Sequence, residues 1–182
     1  MKVSIFIKRN PSQLELKEYQ RFSDKNWGKH YESEEEVKEN FFDIPKFVVL
    51  AYTKNRLVGL LNIFIKKAII ENLSFSVGGI GGVVTDKEFR HKGIATIILK
   101  KTMQVLKLNN IDVAMLCTDI PKLGHLYNKL DFVPLGKPYY FFSKNGDERA
   151  ENSGMIAPVK SLKIFRKIML TKGKISVGQS NF

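Results

Sequence analysis

Residues 73–85 read Leu-Ser-Phe-Ser-Val-Gly-Gly-Ile-Gly-Gly-Val-Val-Thr, with four glycines at 78, 79, 81 and 82 in a run that otherwise alternates apolar and small residues. Glycine is depleted from strand interiors, so such a cluster marks a bulge or the close approach of another backbone or a ligand. A short polar stretch then leads into Gly93–Asn109, where Ile94, Ile97, Ile98, Met103, Val105, Leu106 and Leu108 make a broad apolar face ended by Asn109-Asn110. Arg90-His91-Lys92-Gly93-Ile94-Ala95 therefore sit where a glycine-rich strand ends and the best-defined helix begins. The amide hydrogens of its first turn point out of the helix and make an anion site. Gly93 lets a diphosphate approach the backbone, and Arg90 and Lys92 add positive charge beside the helix dipole.

The rest of the chain supplies a sheet around this junction. An apolar stretch, Val3–Ile7, precedes two short helices, Leu14–Phe22 and Glu32–Phe42, joined by a loop around Trp27, with Ser33 and Glu36 as a capping box for the second. Phe47–Tyr52 and Leu57–Ile65 are β-branched runs separated by Thr53-Lys54-Asn55-Arg56, a hairpin that Ala68–Ile70 ends or extends. Val113–Cys117 reads as a buried strand, Pro121–Leu130 as a short helix opened by proline, and Phe132 as the start of another strand. Tyr139–Phe142 is an aromatic strand ended by Lys144-Asn145-Gly146-Asp147, with Gly154–Val159 as its returning partner. A meander followed by strand–helix–strand predicts an α/β (α+β) fold: a mixed, mostly antiparallel central sheet with helices on both faces.

Composition excludes several classes of function. The 182 residues fit one domain, and 43% hydrophobic content rules out a disordered chain. One cysteine, Cys117, excludes an internal disulfide and any multi-cysteine zinc module, and the three histidines leave no metal site to expect. A reducing, cytoplasmic setting is the expectation. Val3–Ile7 is too short for a signal peptide, and the longest uncharged run, residues 72–85, falls short of the ~20 apolar residues of a membrane span. The net charge of +12 is concentrated late in the chain: no acidic residue follows Glu151, while Lys160, Lys163, Arg166, Lys167, Lys172 and Lys174 supply half of the excess. We therefore divide the chain into residues 1–159 and a basic C-terminal tail, 160–182, in which Leu162, Phe165, Ile168 and Met169 define a short amphipathic helix. Such a helix packs on the sheet with its lysines outward or, as the second reading, contacts nucleic acid or an anionic surface.

The loop resembles the signature of the GCN5-related N-acetyltransferase family, Arg/Gln-x-x-Gly-x-Gly/Ala, through Arg90, Gly93 and Ala95. Downstream, Leu126-Tyr127-Asn128-Lys129-Leu130-Asp131-Phe132 is similar to that family's Leu-Tyr-x-x-x-Gly-Phe segment, with Asp131 where the family usually has glycine. The resemblance implies an acyl-CoA N-acyltransferase fold through about residue 159 and acetyl-CoA as co-substrate. Its diphosphate would lie on the amides of His91, Lys92, Gly93, Ile94 and Ala95, and its pantetheine arm along Val83, Val84 and Thr85. Tyr127 is, by the same resemblance, the acid that protonates the departing thiolate; a phenol near pKa 10 is suited to a thiol near 8.5. An amide at Val83 or Val84 would polarise the thioester carbonyl.

The base is less legible. Glu71, Asp86, Glu88, His125, His30 and Glu32 are the candidates near the strand or the helix loop. Asp86 and Glu88 read as solvated turn residues and His125 as a surface residue, so a water relay to a backbone carbonyl is the alternative. Cys117 lies in a buried apolar strand without a local base, which favours direct transfer over an acyl-cysteine. The run from Phe47 through the glycine-rich strand, Phe132-Val133-Pro134, and the Gly-Lys-Pro and Asn-Gly-Asp-Glu-Arg segments closed by Ser153-Gly154-Met155 resemble, within the family, aminoglycoside 2′-N-acetyltransferases and related enzymes of amino sugars. This likeness implies a small-molecule amine acceptor, with Asp24, Glu32, Asp43, Asp147, Glu148 and Glu151 available to line its cleft. Those enzymes carry an acidic residue where this chain has Gly81, and a charge of +12 repels a polycation at long range. A protein or peptide amine is the alternative acceptor, and a CoA-binding module the alternative to an enzyme.

Overall fold

The computed structural model describes residues 2–27, 38–41 and 43–182. Its strands are β1 (Ser4–Arg9), β2 (Phe47–Thr53), β3 (Arg56–Ile70), β4 (Leu73–Thr85), β5 (Val113–Cys117), β6 (Val133–Pro134), β7 (Tyr139–Phe142), β8 (Glu148–Glu151), β9 (Gly154–Pro158) and β10 (Ile175–Gln179). The helices are α1 (Gln13–Trp27), α2 (Ile94–Leu108), α3 (Ile120–Asn128) and α4 (Leu162–Leu170), with a 3-10 turn at Lys87–Phe89. The strands form one mixed sheet in the order β6-β9-β5-β4-β3-β10-β7-β8, and β2 pairs with the first half of β3 and carries β1 at its other edge. Among the described residues, only β4–β5 and β7–β10 run parallel.

Local chemistry explains the element ends. Lys54 and Asn55 both take positive φ (46° and 65°), the signature of a tight hairpin turn between β2 and β3. Ser12 and Glu15 form a capping box at the start of α1: the Glu15 carboxylate accepts from the Ser12 amide at 2.8 Å, and the Ser12 hydroxyl accepts from the Glu15 amide at 3.3 Å. Lys8 and then Ser12 hold the Glu15 carboxyl down at about 2. Asp119 caps α3, followed by Ile120-Pro121, so proline falls where no amide is needed. Asp131 adopts φ 62°, a left-handed turn that aspartate tolerates and that accounts for glycine at this place in the resembling motif.

One face of the sheet packs on α2 and α3, in a cluster that joins Val49, Ala51, Leu61, Ile63 and Ile80 to Ile94, Ile98, Leu99, Leu106 and Tyr127. Burying side chains such as Leu99 and Leu106 completely stabilises the fold by about 1.5–3 kcal/mol each. Leu106 lies so close to β4 that a Cβ on Gly78 would sit 2.4 Å from its Cδ2. The other face has two parts: Val48, Leu50, Leu60 and Val84 under Tyr19 and Phe22 of α1, and a second cluster of Phe64, Val77, Met115, Tyr139, Ile168 of α4 and Phe182.

Several expectations change. The second helix and its Ser33–Glu36 cap, with His30 and Glu32, fall on or beside residues outside those described; of that segment, residues 38–40 are helical. Trp27 ends α1 and is not in a loop. Gly154–Pro158 does not return beside Tyr139–Phe142: it pairs with β5, from Val113↔Pro158 to Cys117↔Gly154, and β8 takes the place beside β7. The reason is burial. Residues 154–157 are apolar or small and buried on both sides, which suits an interior strand, whereas Glu148–Glu151 is polar and suits an edge. The segment 160–182 holds the expected helix at Leu162–Leu170 and then enters the sheet as β10, between β3 and β7, with Ile175 and Val177 buried. It is therefore built into the sheet and is no appended tail.

Candidate active site

The site forms where β4 leaves β5. The two strands pair only from Val77↔Val113 to Gly79↔Met115; beyond that β5 ends at Cys117 while β4 runs on to Thr85, paired with β3 alone. Between Gly81 and Val84 the β4 chain spends one residue more than β3 does between Leu60 and Asn62, a bulge with Gly82 at φ 61°. Glycine meets that conformation without strain. The result is a fork whose arms continue as Ile80 and Leu116, both buried in the cluster on the α2 face.

The loop after β4 is tied down before it reaches α2. Asp86 accepts from the Glu88 amide at 3.0 Å and from Arg56 Nη2 at 2.8 Å, while Arg56 Nη1 reaches Glu88 at 2.8 Å. Asp86 is 5% exposed, so it is buried and not the solvated turn residue expected. Burial pushes its carboxyl up, and the Arg56 guanidinium and the Glu88 amide outweigh that and hold it below the ordinary value. Asn26, near the end of α1, accepts from the Lys87 amide at 3.0 Å, and the Trp27 indole donates to the Val83 carbonyl at 3.2 Å. α1 is thereby stitched to the fork.

Gly93 is the N-cap of α2 at φ 78°, and no side chain caps the helix there. A Cβ on Gly93 would meet nothing within 4 Å, so the loop surface is open toward the first-turn amides. These features fit a bound diphosphate. His91, at φ 60°, Lys92 and Gly93 are exposed; Ile94 is buried and anchors the helix, with Ala95 half-buried beside it. Arg90 is exposed but donates to the Asn26 and Thr85 carbonyls, so it braces the loop. Lys92 folds back onto the Glu88 carbonyl at 2.9 Å, above the Phe89 ring. Both place positive charge beside the loop with their heads already bonded. Val83 and Thr85 are half-buried and Val84 is buried, on the arm beyond the parting.

Tyr127 is buried on α3, its ring 6.1 Å from Phe132 and in the same cluster as Ile80 and Leu116 of the two arms. The base candidates separate. Glu71 lies in the β3–β4 turn at the far end of the hairpin and accepts from the Thr171 hydroxyl at 2.6 Å. Glu88 is exposed and paired with Arg56, and His125 is exposed, as expected of a surface residue. Of the acceptor-cleft carboxylates, Asp24 is exposed and accepts from Gln20, Glu148 pairs with Lys174, and Glu151 accepts from Ser153. Asp43 faces Lys66 at 3.0 Å. Among the described residues no group of three or more His, Cys, Asp or Glu is placed to hold a metal ion, and no helix is long and apolar enough to cross a membrane.

The other face of the fork carries residues that sequence reasoning missed. The side chain of Phe182 lies on Gly79 and its main chain on Gly81, where built Cβ atoms would come within 1.9 and 2.5 Å. Asn181 accepts from the Tyr139 hydroxyl at 2.5 Å, and its amide nitrogen lies 4.0 Å from Cys117 Sγ. Lys66, in the middle of β3, has its side chain 8% exposed, and its ammonium donates to the carbonyls of Gln179, Ser180 and Asn181 and to the Ser180 hydroxyl. The adjacent lysines 66 and 67 were the available signal, since alternation along a strand puts one of them inward. A depression of about 520 Å³ bounded by Gln104, Lys107, Leu108 and Lys160 lies at the opposite end of α2 from the loop.

The family model of the acetyltransferase (GNAT) domain matches residues 9–134, more than half of the chain and all of the fork and loop. The chain belongs to the GNAT acetyltransferase family. Solved structures agree in fold. An Escherichia coli protein, ElaA, superposes with TM-score 0.59 at 15% identity over 86% of this chain and 99% of its own. A putative N-acetyltransferase from Lactobacillus plantarum gives 0.60 at 12% identity over 86% and 98%. A GCN5-related N-acetyltransferase from Kribbella flavida gives 0.56 at 15% identity over 76% of this chain but only 35% of its own. The present chain thus spans about a third of that larger GNAT protein and nearly all of the two smaller ones. At these identities the likeness is one of fold.

Proposed function

We propose that this chain is an acetyl-CoA-dependent N-acetyltransferase that passes the acetyl group directly to a primary amine of a small molecule. The observation that supports it most is the coincidence of two features in one place: a fork that opens beyond Gly79↔Met115, and an uncapped glycine N-terminus of α2 at the end of the same strand. Acetyl-CoA would supply an acetyl group already activated as a thioester. The amides of residues 91–95 would hold its diphosphate, and the β4 arm, Val83–Thr85, would pair with its pantetheine as an added strand does.

The chain's own groups then have distinct tasks. An amide of Val83 or Val84 donates to the thioester carbonyl as negative charge develops on its oxygen. Tyr127 gives its phenolic proton to the departing sulfur. The described side-chain carboxylates around the fork are engaged elsewhere, so the acceptor's proton leaves to solvent through a water held by a backbone carbonyl. Burial of Tyr127 keeps bulk water from competing with its proton. The test is thiol release from acetyl-CoA over a panel of linear amines, polyamines, amino sugars and peptide N-termini, with Tyr127→Phe alongside. Release that needs both an amine and Tyr127 supports the reading; a folded protein that releases no thiol with any amine refutes it.

A further inference from the structure

The reacting end of the fork has one side already filled. On the α2 face, Ile80, Leu116 and Tyr127 are buried together, which leaves the opposite face as the side of approach, itself closed by Phe182 and Asn181, 4% and 3% exposed. That face is spanned by residues 181 and 182: Phe182 rests on Gly79 and Gly81 of β4, and Asn181 reaches across to Cys117 at the tip of β5. The span is fastened at several points. Asn181 donates its amide to the Asn40 carbonyl at 2.7 Å, Ser180 donates to the Phe142 carbonyl at 2.8 Å, and the Phe182 ring packs against Tyr139 with centroids 5.5 Å apart. Lys66 ties the span at several points at once, since its ammonium gathers the carbonyls of residues 179–181, with Asp43 at 3.0 Å and the Phe182 ring 5.5 Å away.

We propose that Phe182 is the acceptor-side wall of the fork, positioned by Lys66, and that it restricts the acceptor to a slender primary amine. The inference rests on the acetyltransferase reading above. The shape of the wall favours a narrow acceptor over a bulky sugar: the Phe182 ring covers Gly79, its main-chain carbon and oxygen cover Gly81, and Asp43 beside it is already matched by Lys66. The main chain of Phe182 covers the place over Gly81 where a base-bearing side chain would otherwise stand. The wall also shields the thioester from hydrolysis, in which a water oxygen bonds to the acetyl carbon, the C–S bond breaks, sulfur takes one of the water's protons and the other passes to solvent, leaving acetate and the CoA thiol.

The experiment compares the full chain with Phe182→Ala and Lys66→Met, and with Lys66→Arg as the charge-retaining control. Two readouts are independent of the acceptor: the rate at which Cys117, the single cysteine, reacts with an aromatic disulfide, and the loss of acetyl-CoA without amine, followed by its thioester absorbance. Both rise in Phe182→Ala, which loses the ring that covers Gly79, and rise roughly tenfold or more in Lys66→Met, the factor by which losing a charge-assisted hydrogen bond shifts a local opening equilibrium. Lys66→Arg stays closer to the parent, and acetyl-CoA affinity is kept throughout. Branched and cyclic amines gain relative to linear ones in Phe182→Ala. Unchanged Cys117 reactivity overturns the wall, as does raised reactivity with unchanged hydrolysis and acceptor range. If Phe182→Ala fails to fold, Lys66→Met carries the same comparison. A parent chain that neither binds acetyl-CoA nor acetylates any amine overturns the site reading and this inference together, whereas an active parent with indistinguishable variants overturns the inference alone.

Discussion

Replacing Gly93 with alanine separates the loop's role in ligand binding from its role in folding. Gly93 sits at φ 78°, and a Cβ there meets nothing within 4 Å, so the substitution creates no internal clash. Its cost to the fold is the left-handed backbone alone, about 1–2 kcal/mol. For a chain of this length that lowers Tm by roughly 2–8 °C. The added methyl projects into the space where a diphosphate would approach the first-turn amides. Losing one such hydrogen bond to a charged group removes about 1.5–3 kcal/mol of binding, or about 10- to 150-fold in affinity. Gly146 provides the control: it lies in the β7–β8 turn at φ 89°, also with nothing within 4 Å. Gly146→Ala should lose comparable stability and no affinity. Calorimetric titration with CoA on both variants, beside thermal melts, decides the matter. Equal CoA affinity in parent, Gly93→Ala and Gly146→Ala would refute the assignment of the loop.

Gly93→Asp adds a negative charge to the same surface and should abolish measurable CoA binding, again by calorimetry. Tyr127→Phe keeps the ring, its packing on Phe132 and CoA affinity, while kcat falls by about 10²–10⁴, the usual contribution of a general acid; a parent-like kcat would remove Tyr127 from the chemistry. Asp86 has a folded-state pKa below its unfolded value of about 3.9. Its stabilisation is therefore fully present above that unfolded value and is lost as pH falls through the folded one. Asp86→Asn should flatten the acid limb of the stability curve, read by urea unfolding between neutral and acid pH, and an acid limb as steep as the parent's would show that the Arg56–Asp86 pair carries none of it.

What could be read from the chain depended on how local the signal was. The junction of the glycine-rich strand with α2 was legible because glycines, helix and loop are adjacent in sequence, and the bulge falls at Gly82 within the expected run. Partners distant in sequence were not legible. Nothing local tells Gly154–Pro158 to pair with β5 in place of the strand it follows more closely, and only the two-sided burial of both strands decides it. In β10, the alternation of Ile175 and Val177 spans five residues behind a run of lysines, so charge hid a strand whose pairing is set by β3 and β7. The close spacing of Gly79 and Gly81 was visible, but the group they make room for, Phe182, stands about a hundred residues away. Removing residues 160–182 would consequently take out β10 and the cover of the fork, and is no clean test of a basic surface.

The most direct measurement follows an isotopic label in the acetyl group of acetyl-CoA during a single turnover with a linear primary amine. The account predicts label in an N-acetylated amine, with none left on the protein and little in acetate. Label retained on CoA with every amine, or trapped on Cys117, would contradict direct transfer at this fork.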